Sequence, residues 1–116
     1  MSPNARILIV EDDPLIAMDL EDTFSEAGYD VCGMVANVRD GLAAIERDAP
    51  ECATLDYQLG SDTSDALAAA LEQRGIPFCF ISGRPDLLPE GGRTVLNKPA
   101  TPRTVLRTVN ALLEAH

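Results

Sequence analysis

The chain has 116 residues, of which 46% are hydrophobic and 24% are charged, and its formal net charge is -10 at pH 7. This length predicts a single domain over residues 1–116, with its own core and without an output domain. The acidic excess opposes binding to nucleic acid, because that affinity comes mainly from Lys and Arg neutralising phosphates, and no apolar stretch is long enough to span a bilayer.

The cysteines and the single histidine narrow the chemistry further. Cys32, Cys52 and Cys79 lie in apolar runs at wide spacing, which predicts buried reduced thiols rather than a disulfide framework or a zinc site. The only histidine is His116 at the end of the chain, so any phosphohistidine has to come from a partner. The first residues lack the long apolar segment of a secretory signal, which predicts a cytoplasmic protein.

In chain order, short apolar strands alternate with amphipathic helices. Residues 6–10 form an aliphatic run that ends in acids, and Pro14 then opens a helix that Gly28 closes. The same alternation continues to the end of the chain. It predicts strands over 6–10, 29–35, 52–56, 78–82 and 95–97, with helices over 14–27, 38–45 and 64–74 and a last helix that begins at Pro102.

The segment between the fourth and fifth strands departs from this pattern. Residues 83–92 contain Pro85, Pro89 and Gly91, so only about a turn of helix is expected around 86–88. Five strand-helix units with a shortened fourth helix predict an α/β fold of the flavodoxin-like, doubly wound type, (βα)5, with a five-stranded parallel sheet.

Polar residues follow the apolar runs at four of the five strands. Glu11 and Asp12 end the first strand, Asp56 the third, Ser82 the fourth and Lys98 the fifth. Ligands of open parallel sheets bind beyond the carboxyl ends of the strands, so these side chains are expected to form one site. Three carboxylates held together repel one another unless a cation intervenes, and such oxygen ligands favour Mg2+.

Four stretches carry a resemblance to a known family, the receiver domains of response regulators in two-component signalling. They are Ile7 to Pro14, Leu55-Asp56, Ser82-Gly83 and Lys98-Pro99, and the resemblance covers nearly the whole chain. It implies that Asp56 accepts a phosphoryl group from a sensor histidine kinase or a histidine phosphotransfer protein, and that the chain then signals to a downstream protein partner. It also implies a signalling protein rather than an enzyme, although one that assists its own phosphorylation and dephosphorylation.

The same resemblance assigns roles to the other site residues. Asp12 would bind Mg2+ directly and Glu11 would act through metal-bound water, while the main-chain carbonyl of Gln58 would be a further ligand. Lys98 would pair with phosphoryl oxygens, and Ser82 can donate a hydrogen bond to them. Three other acids, Asp13, Asp62 and Asp65, are predicted to cap or begin helices.

Several positions depart from the usual receiver. Gly60 stands where many receivers carry proline, Val95 where many carry a switching Tyr or Phe, and Ala100 where an aromatic commonly follows Lys-Pro. Three stretches resemble the single-domain subgroup named for a Phe-Ala-Thr-Gly signature: Leu59-Gly60, Gly75 to Phe78 and Phe80 to Gly83. Ile81, Ser82 and Arg84 deviate from that signature. Tyr57, beside the acceptor, either shapes access to Asp56 or shields an edge of the sheet, and the sequence does not decide between the two.

Two alternative functions use similar residues. A phosphatase of the haloacid dehalogenase type also has a strand-end Asp and Mg2+, but it requires a second Asp where this chain has Gln58. A receiver-like module that binds a partner protein without phosphorylation is the other alternative, and the complete set of acids, Ser82 and Lys98 argues against it.

Overall fold

The structure, a computed structural model, describes residues 5–89 and 91–115, so His116 lies outside the described residues. Its elements follow the predicted order closely. The strands are β1 (Arg6–Val10), β2 (Asp30–Val35), β3 (Cys52–Asp56), β4 (Gln58–Leu59), β5 (Asp62–Thr63), β6 (Phe78–Ser82) and β7 (Val95–Asn97). The helices are α1 (Pro14–Glu26), α2 (Val38–Asp48), α3 (Asp65–Gln73) and α4 (Pro102–Glu114), with a 3-10 turn over Pro85–Leu87.

Five of the strands form one parallel sheet in the order β2-β1-β3-β6-β7. The central strands β3 and β6 are buried along their whole length, because helices cover both faces of the sheet. One core cluster lies between the sheet and α2 and α3, and the other lies between the sheet and α1 and α4. The predicted flavodoxin-like, doubly wound fold is therefore confirmed.

Close packing of α2 on α3 requires a glycine at position 41. A Cβ built on Gly41 would lie 2.8 and 2.9 Å from the two methyl carbons of Leu67, which is fully buried. Larger residues at position 41 would have to push the two helices apart.

The structure also corrects details of the sequence analysis. Residues 58–63 form a small antiparallel hairpin, β4 and β5, which the apolar pattern did not predict because each strand has only two residues. Asp13 caps α1 as expected, since its side chain accepts hydrogen bonds from the amides of Leu15 and Ile16. Asp65 begins α3 as expected, but the cap position belongs to Ser64, and Asp62 lies in β5 and is not a cap.

The fourth helix is reduced to a 3-10 turn, as its prolines predicted. Cys52 and Cys79 are buried free thiols, whereas Cys32, on the edge strand β2, is only partly buried. In the described part of the chain, every helix is too short or too polar to cross a bilayer.

Candidate functional site

The polar residues at the strand ends meet at one edge of the sheet. The ammonium nitrogen of Lys98 lies 3.1 Å from an Oε1 of Glu11 and 3.3 Å from an Oδ1 of Asp56. Carboxylate oxygens of Glu11, Asp12 and Asp56 all lie within 4.8 Å of one another. Parallel strands bring their carboxyl ends to the same edge, which explains why residues 87 positions apart in sequence are in contact here.

Burial differs among the three acids. Glu11 and Asp56 are buried, with 4% and 7% of their surface exposed, whereas Asp12 is exposed to solvent. Glu11 is held in place by a hydrogen bond from the amide of Asp13 at 3.1 Å. The cluster is therefore closed by the sheet on the side of Glu11 and Asp56. It is open to solvent on the side of Asp12, where an ion or a phosphate group can enter.

The crowding of like charge changes the protonation of the site. Burial raises the pKa of Asp56 to about 7, and the neighbouring Glu11 carboxylate adds to this, while Lys98 opposes it. Burial lowers the pKa of Lys98, but the carboxylates of Glu11 and Asp56 outweigh this and raise it overall. Without another cation, the pocket therefore favours an ammonium group beside an acid that is largely protonated below neutral pH.

A pKa change in the opposite direction is found at Asp12. Burial raises the pKa of this carboxyl, but hydrogen bonding to Asp56 and a hydrogen bond from the amide of Gly60 outweigh burial and lower it. Asp12 is thus ionised over the physiological pH range, and as the exposed acid of the cluster it is the first that an entering cation would meet.

Gly60 contacts the acid cluster, a role that its position in the sequence does not reveal. Its amide donates a hydrogen bond to Oδ2 of Asp12 at 3.2 Å, and its φ is +64°. Proline, which many receivers carry at this position, has no amide hydrogen and cannot adopt a positive φ. The glycine therefore joins the β4–β5 hairpin to the acid cluster, and its departure from the family pattern was the available signal. Gln58 begins the same hairpin and pairs with Thr63.

Ser82 ends β6 at the same edge and is buried, with 3% of its surface exposed. The β3–β6 register pairs Asp56 with Ile81, so Ser82 lies one residue beyond the partner of Asp56. Its Oγ accepts a hydrogen bond from the amide of Arg84 at 3.0 Å, and its carbonyl accepts one from the amide of Lys98 at 2.8 Å. Ser82 thus connects the site to the segment that replaces the fourth helix.

Tyr57 is turned away from the Asp56 carboxylate. It is buried in the core cluster on the α2–α3 face, and its hydroxyl donates a hydrogen bond to Oδ2 of Asp65 at 2.9 Å. Thr63 donates a second one to the same oxygen, and the Tyr57 ring meets the Phe80 ring edge to face, with centroids 5.5 Å apart. Of the two roles considered for Tyr57, shielding the sheet is the one its position supports.

The same aromatic cluster is covered by a charged pair. The guanidinium of Arg93 lies 5.8 Å from the centre of the Phe80 ring, within the range of a cation-π contact. Two of its nitrogens bind the Glu72 carboxylate of α3, at 3.1 and 2.9 Å. This pair ties the segment before β7 to α3 and to the ring beside Tyr57.

Comparison with known proteins identifies relatives of the whole chain. The sequence profile described as "Response regulator receiver domain" matches residues 7–110. The phyllosphere-induced regulator PhyR of Methylorubrum extorquens is 33% identical over 115 residues, which are 93% of this chain and 43% of PhyR. The chemotaxis protein CheY of Thermotoga maritima is 26% identical over 90% of this chain and 94% of its own length.

Solved structures give the same result. The solution structure of SdrG from Sphingomonas melonis superposes with a TM-score of 0.85 at 41% identity, over 97% of this chain and 99% of SdrG. The chain spans less than half the length of PhyR but nearly all of CheY and SdrG. The profile match over residues 7–110 spans the strand ends that carry Glu11, Asp12, Asp56, Ser82 and Lys98.

Proposed function

This chain belongs to the response regulator receiver family, and we propose that it accepts a phosphoryl group on Asp56 from a phosphohistidine donor. The observation that carries the proposal is the position of Asp56, a buried carboxylate at a strand end with an ammonium group 3.3 Å away. In the transfer, the bond between phosphorus and the donor nitrogen breaks as a bond to an Asp56 oxygen forms.

The acid cluster fits Mg2+ as the cation of this reaction. Its three carboxylates outnumber its one ammonium group, and all the ligand atoms are hard oxygens, which Mg2+ prefers. We propose that Asp12 and Asp56 bind the ion, with Glu11 acting through water and the main-chain carbonyl of Gln58 completing the set. When bound, Mg2+ supplies positive charge to the oxygens of the phosphoryl group.

The chain's own residues position and neutralise the phosphoryl group. Lys98 is already held between Glu11 and Asp56, so little rearrangement is needed for it to pair with a phosphoryl oxygen on Asp56. The Ser82 hydroxyl, which now accepts a bond from Arg84, keeps its own hydrogen for donation to that group. Glu11 holds Lys98 in place as Asp56 becomes modified.

Signalling through this chain requires a segment with two arrangements. Val95 has no aromatic ring to rotate, so we propose that residues 83–89 and 91–94 respond instead, with Ser82 at their base and the Arg93–Glu72 pair at their far end. A donor kinase or phosphotransfer protein and a downstream protein are the partners that this role requires. The cytoplasmic location expected from the sequence stays a prediction.

Treatment with acetyl phosphate, followed by intact mass measurement, tests the proposal. A single phosphoryl adduct is expected in the presence of Mg2+ and none in EDTA, because the bare pocket repels an anion. Asp56→Ala should take no adduct, and Asp62→Ala, which changes an exposed acid of the neighbouring hairpin, should label as the wild type does. An adduct that persists in Asp56→Ala would refute the assignment, and a chain that never labels would favour the binding module without phosphorylation.

A further inference from the structure

The first turn of α3 carries a carboxylate with only one of its two oxygens hydrogen-bonded. Oδ2 of Asp65 accepts hydrogen bonds from the hydroxyls of Tyr57 at 2.9 Å and Thr63 at 3.0 Å. Oδ1 is buried without a hydrogen-bond partner among the described residues, and so is the neighbouring hydroxyl of Ser64. A buried carboxylate oxygen costs free energy until a donor reaches it, and a cationic donor offsets that cost best. Oδ1 of Asp65 is therefore open to a cation of the chain itself.

Arg93 is a cation close to this carboxylate. Its guanidinium lies 5.8 Å from the centre of the Phe80 ring, and that ring lies 5.5 Å from the ring of Tyr57, which bonds Asp65. Hydrogen bonds to Glu72 raise the pKa of Arg93 most, burial opposes this, and the charge of Asp65 adds to the increase. The Asp65 carboxylate thus already attracts the guanidinium, although that group is bound elsewhere.

The two carboxylates lie on one side of α3. Asp65 and Glu72 are seven residues apart, which is nearly two helical turns, or about 10 Å along the axis. The Arg93–Glu72 pair has good geometry, but Glu72 is half exposed, and pairs at the surface contribute little to stability. A pair with Asp65 would be better shielded from water, and its attraction would be less screened. Each position has an advantage that the other lacks.

We propose that Arg93 exchanges between these two carboxylates, with Glu72 as its partner in the unmodified protein and Oδ1 of Asp65 as its partner when the phosphoryl site is occupied. The coupling to that site rests on the function proposed above. In the second position the guanidinium leaves Glu72, and residues 91–94 move toward the first turn of α3. The exchange gives the segment before β7 the two arrangements that signalling requires.

The β4–β5 hairpin connects the acid cluster to Asp65. At one end the amide of Gly60 donates a hydrogen bond to Asp12, and at the other end Thr63 donates one to Asp65. Asp12 gives up the Gly60 amide when it turns to a bound cation, which frees the hairpin to move. Displacement of Thr63 then removes one donor from Asp65, and a carboxylate with fewer donors attracts a guanidinium more strongly. Occupation of the site thus shifts the equilibrium toward the Arg93–Asp65 pair.

The NMR signal of the Arg93 Nε–Hε group, in the isotope-labelled full chain, reports which carboxylate the guanidinium binds. The signal is assigned by its loss in Arg93→Gln. Beryllofluoride with Mg2+ serves as the mimic of a phosphoryl group on Asp56, and fluorine NMR of the bound adduct measures its occupancy independently. Addition of beryllofluoride to the wild type should move the Arg93 signal from its position in the Glu72 pair to a new one.

Three variants test the exchange without any modification at Asp56. Glu72→Gln should move the Arg93 signal to the position that the wild type adopts with beryllofluoride. Asp65→Asn keeps a carbonyl oxygen for its two hydroxyl donors but places an amide nitrogen at the second position, so the Arg93 signal should stay at the Glu72 position with and without beryllofluoride. Thr63→Val removes one donor from Asp65 and should shift the signal part of the way in the free protein.

Matched controls are Glu46→Gln and Asp62→Asn, at exposed acids of α2 and β5, and both should behave as the wild type does. The proposal is overturned if Glu72→Gln leaves Arg93 with the averaged signal of a free, exposed arginine. It is also overturned if Asp65→Asn responds to beryllofluoride as the wild type does. A wild type without a bound fluorine signal would instead count against the phosphoryl site, and the Glu72 and Thr63 variants would then decide on the exchange by themselves.

Discussion

Asp56→Asn should stabilise the fold when no Mg2+ is present, although it removes the phosphoryl acceptor. Burial and the Glu11 carboxylate raise the pKa of Asp56 from 3.8 to about 7, and this value already includes the attraction of Lys98. Such a difference corresponds to at most about 4 kcal/mol of destabilisation by the ionised form. Water reaches the cluster on the Asp12 side, so screening reduces the expected effect to about 1–2 kcal/mol.

The effect has a definite pH dependence. Between pH 3.8 and about 7, the folded wild type binds more protons at Asp56 than the unfolded chain does, so its stability falls as pH rises. The asparagine variant has no such titration. Its advantage is therefore expected to be small near pH 4, to grow up to about pH 7, and to stay constant above that.

Thermal melts in EDTA at a series of pH values would measure this advantage, which at pH 8 corresponds to roughly 4–8 °C in Tm. Mg2+ should narrow the gap, because an ion at ten times its dissociation constant stabilises the wild type by about 1.4 kcal/mol. Asp30→Asn, at an exposed acid of β2, is the control for the loss of one negative charge. The electrostatic account of the site fails if the Asp56 variant melts at or below the wild type at pH 8, or if the gap is independent of pH.

Three further substitutions test individual contacts. Lys98→Ala removes the ammonium group beside Asp56, so phosphorylation by acetyl phosphate in Mg2+ should slow by at least about ten-fold, as followed by intact mass. An unchanged rate would exclude a role of Lys98 in stabilising the phosphoryl group. Gly60→Pro removes the hydrogen bond from the amide to Asp12 and cannot adopt the φ of +64°, so it should lower the free energy of unfolding in urea by about 1–3 kcal/mol. Gly60→Ala keeps the amide hydrogen, so it should retain more of the stabilisation by Mg2+ than Gly60→Pro does. Arg93→Gln and Glu72→Gln should each speed hydrogen exchange in residues 83–89 and 91–94, because each removes the ion pair that holds this segment on α3. Arg93→Gln should also reduce the change in exchange that beryllofluoride causes there. Unchanged exchange in both variants would show that the ion pair does not restrain the segment.

The sequence by itself determined the frame of this protein. Short apolar runs identified the five strands of the parallel sheet, because local periodicity reflects burial of each element. Their order then predicted that Asp56 and Lys98 would meet, since a parallel sheet collects its carboxyl ends at one edge. Prolines in the segment before β7 likewise predicted the loss of the fourth helix, because their rings exclude the helical hydrogen bonds.

The tertiary structure decided which side chains become partners across elements. The direction of the Tyr57 hydroxyl toward Asp65, the amide that Gly60 presents to Asp12, and the Glu72–Arg93 pair follow from loop dihedrals and from distances between separate helices and strands. Periodicity carries no information on these quantities, because it records only which face of an element is buried.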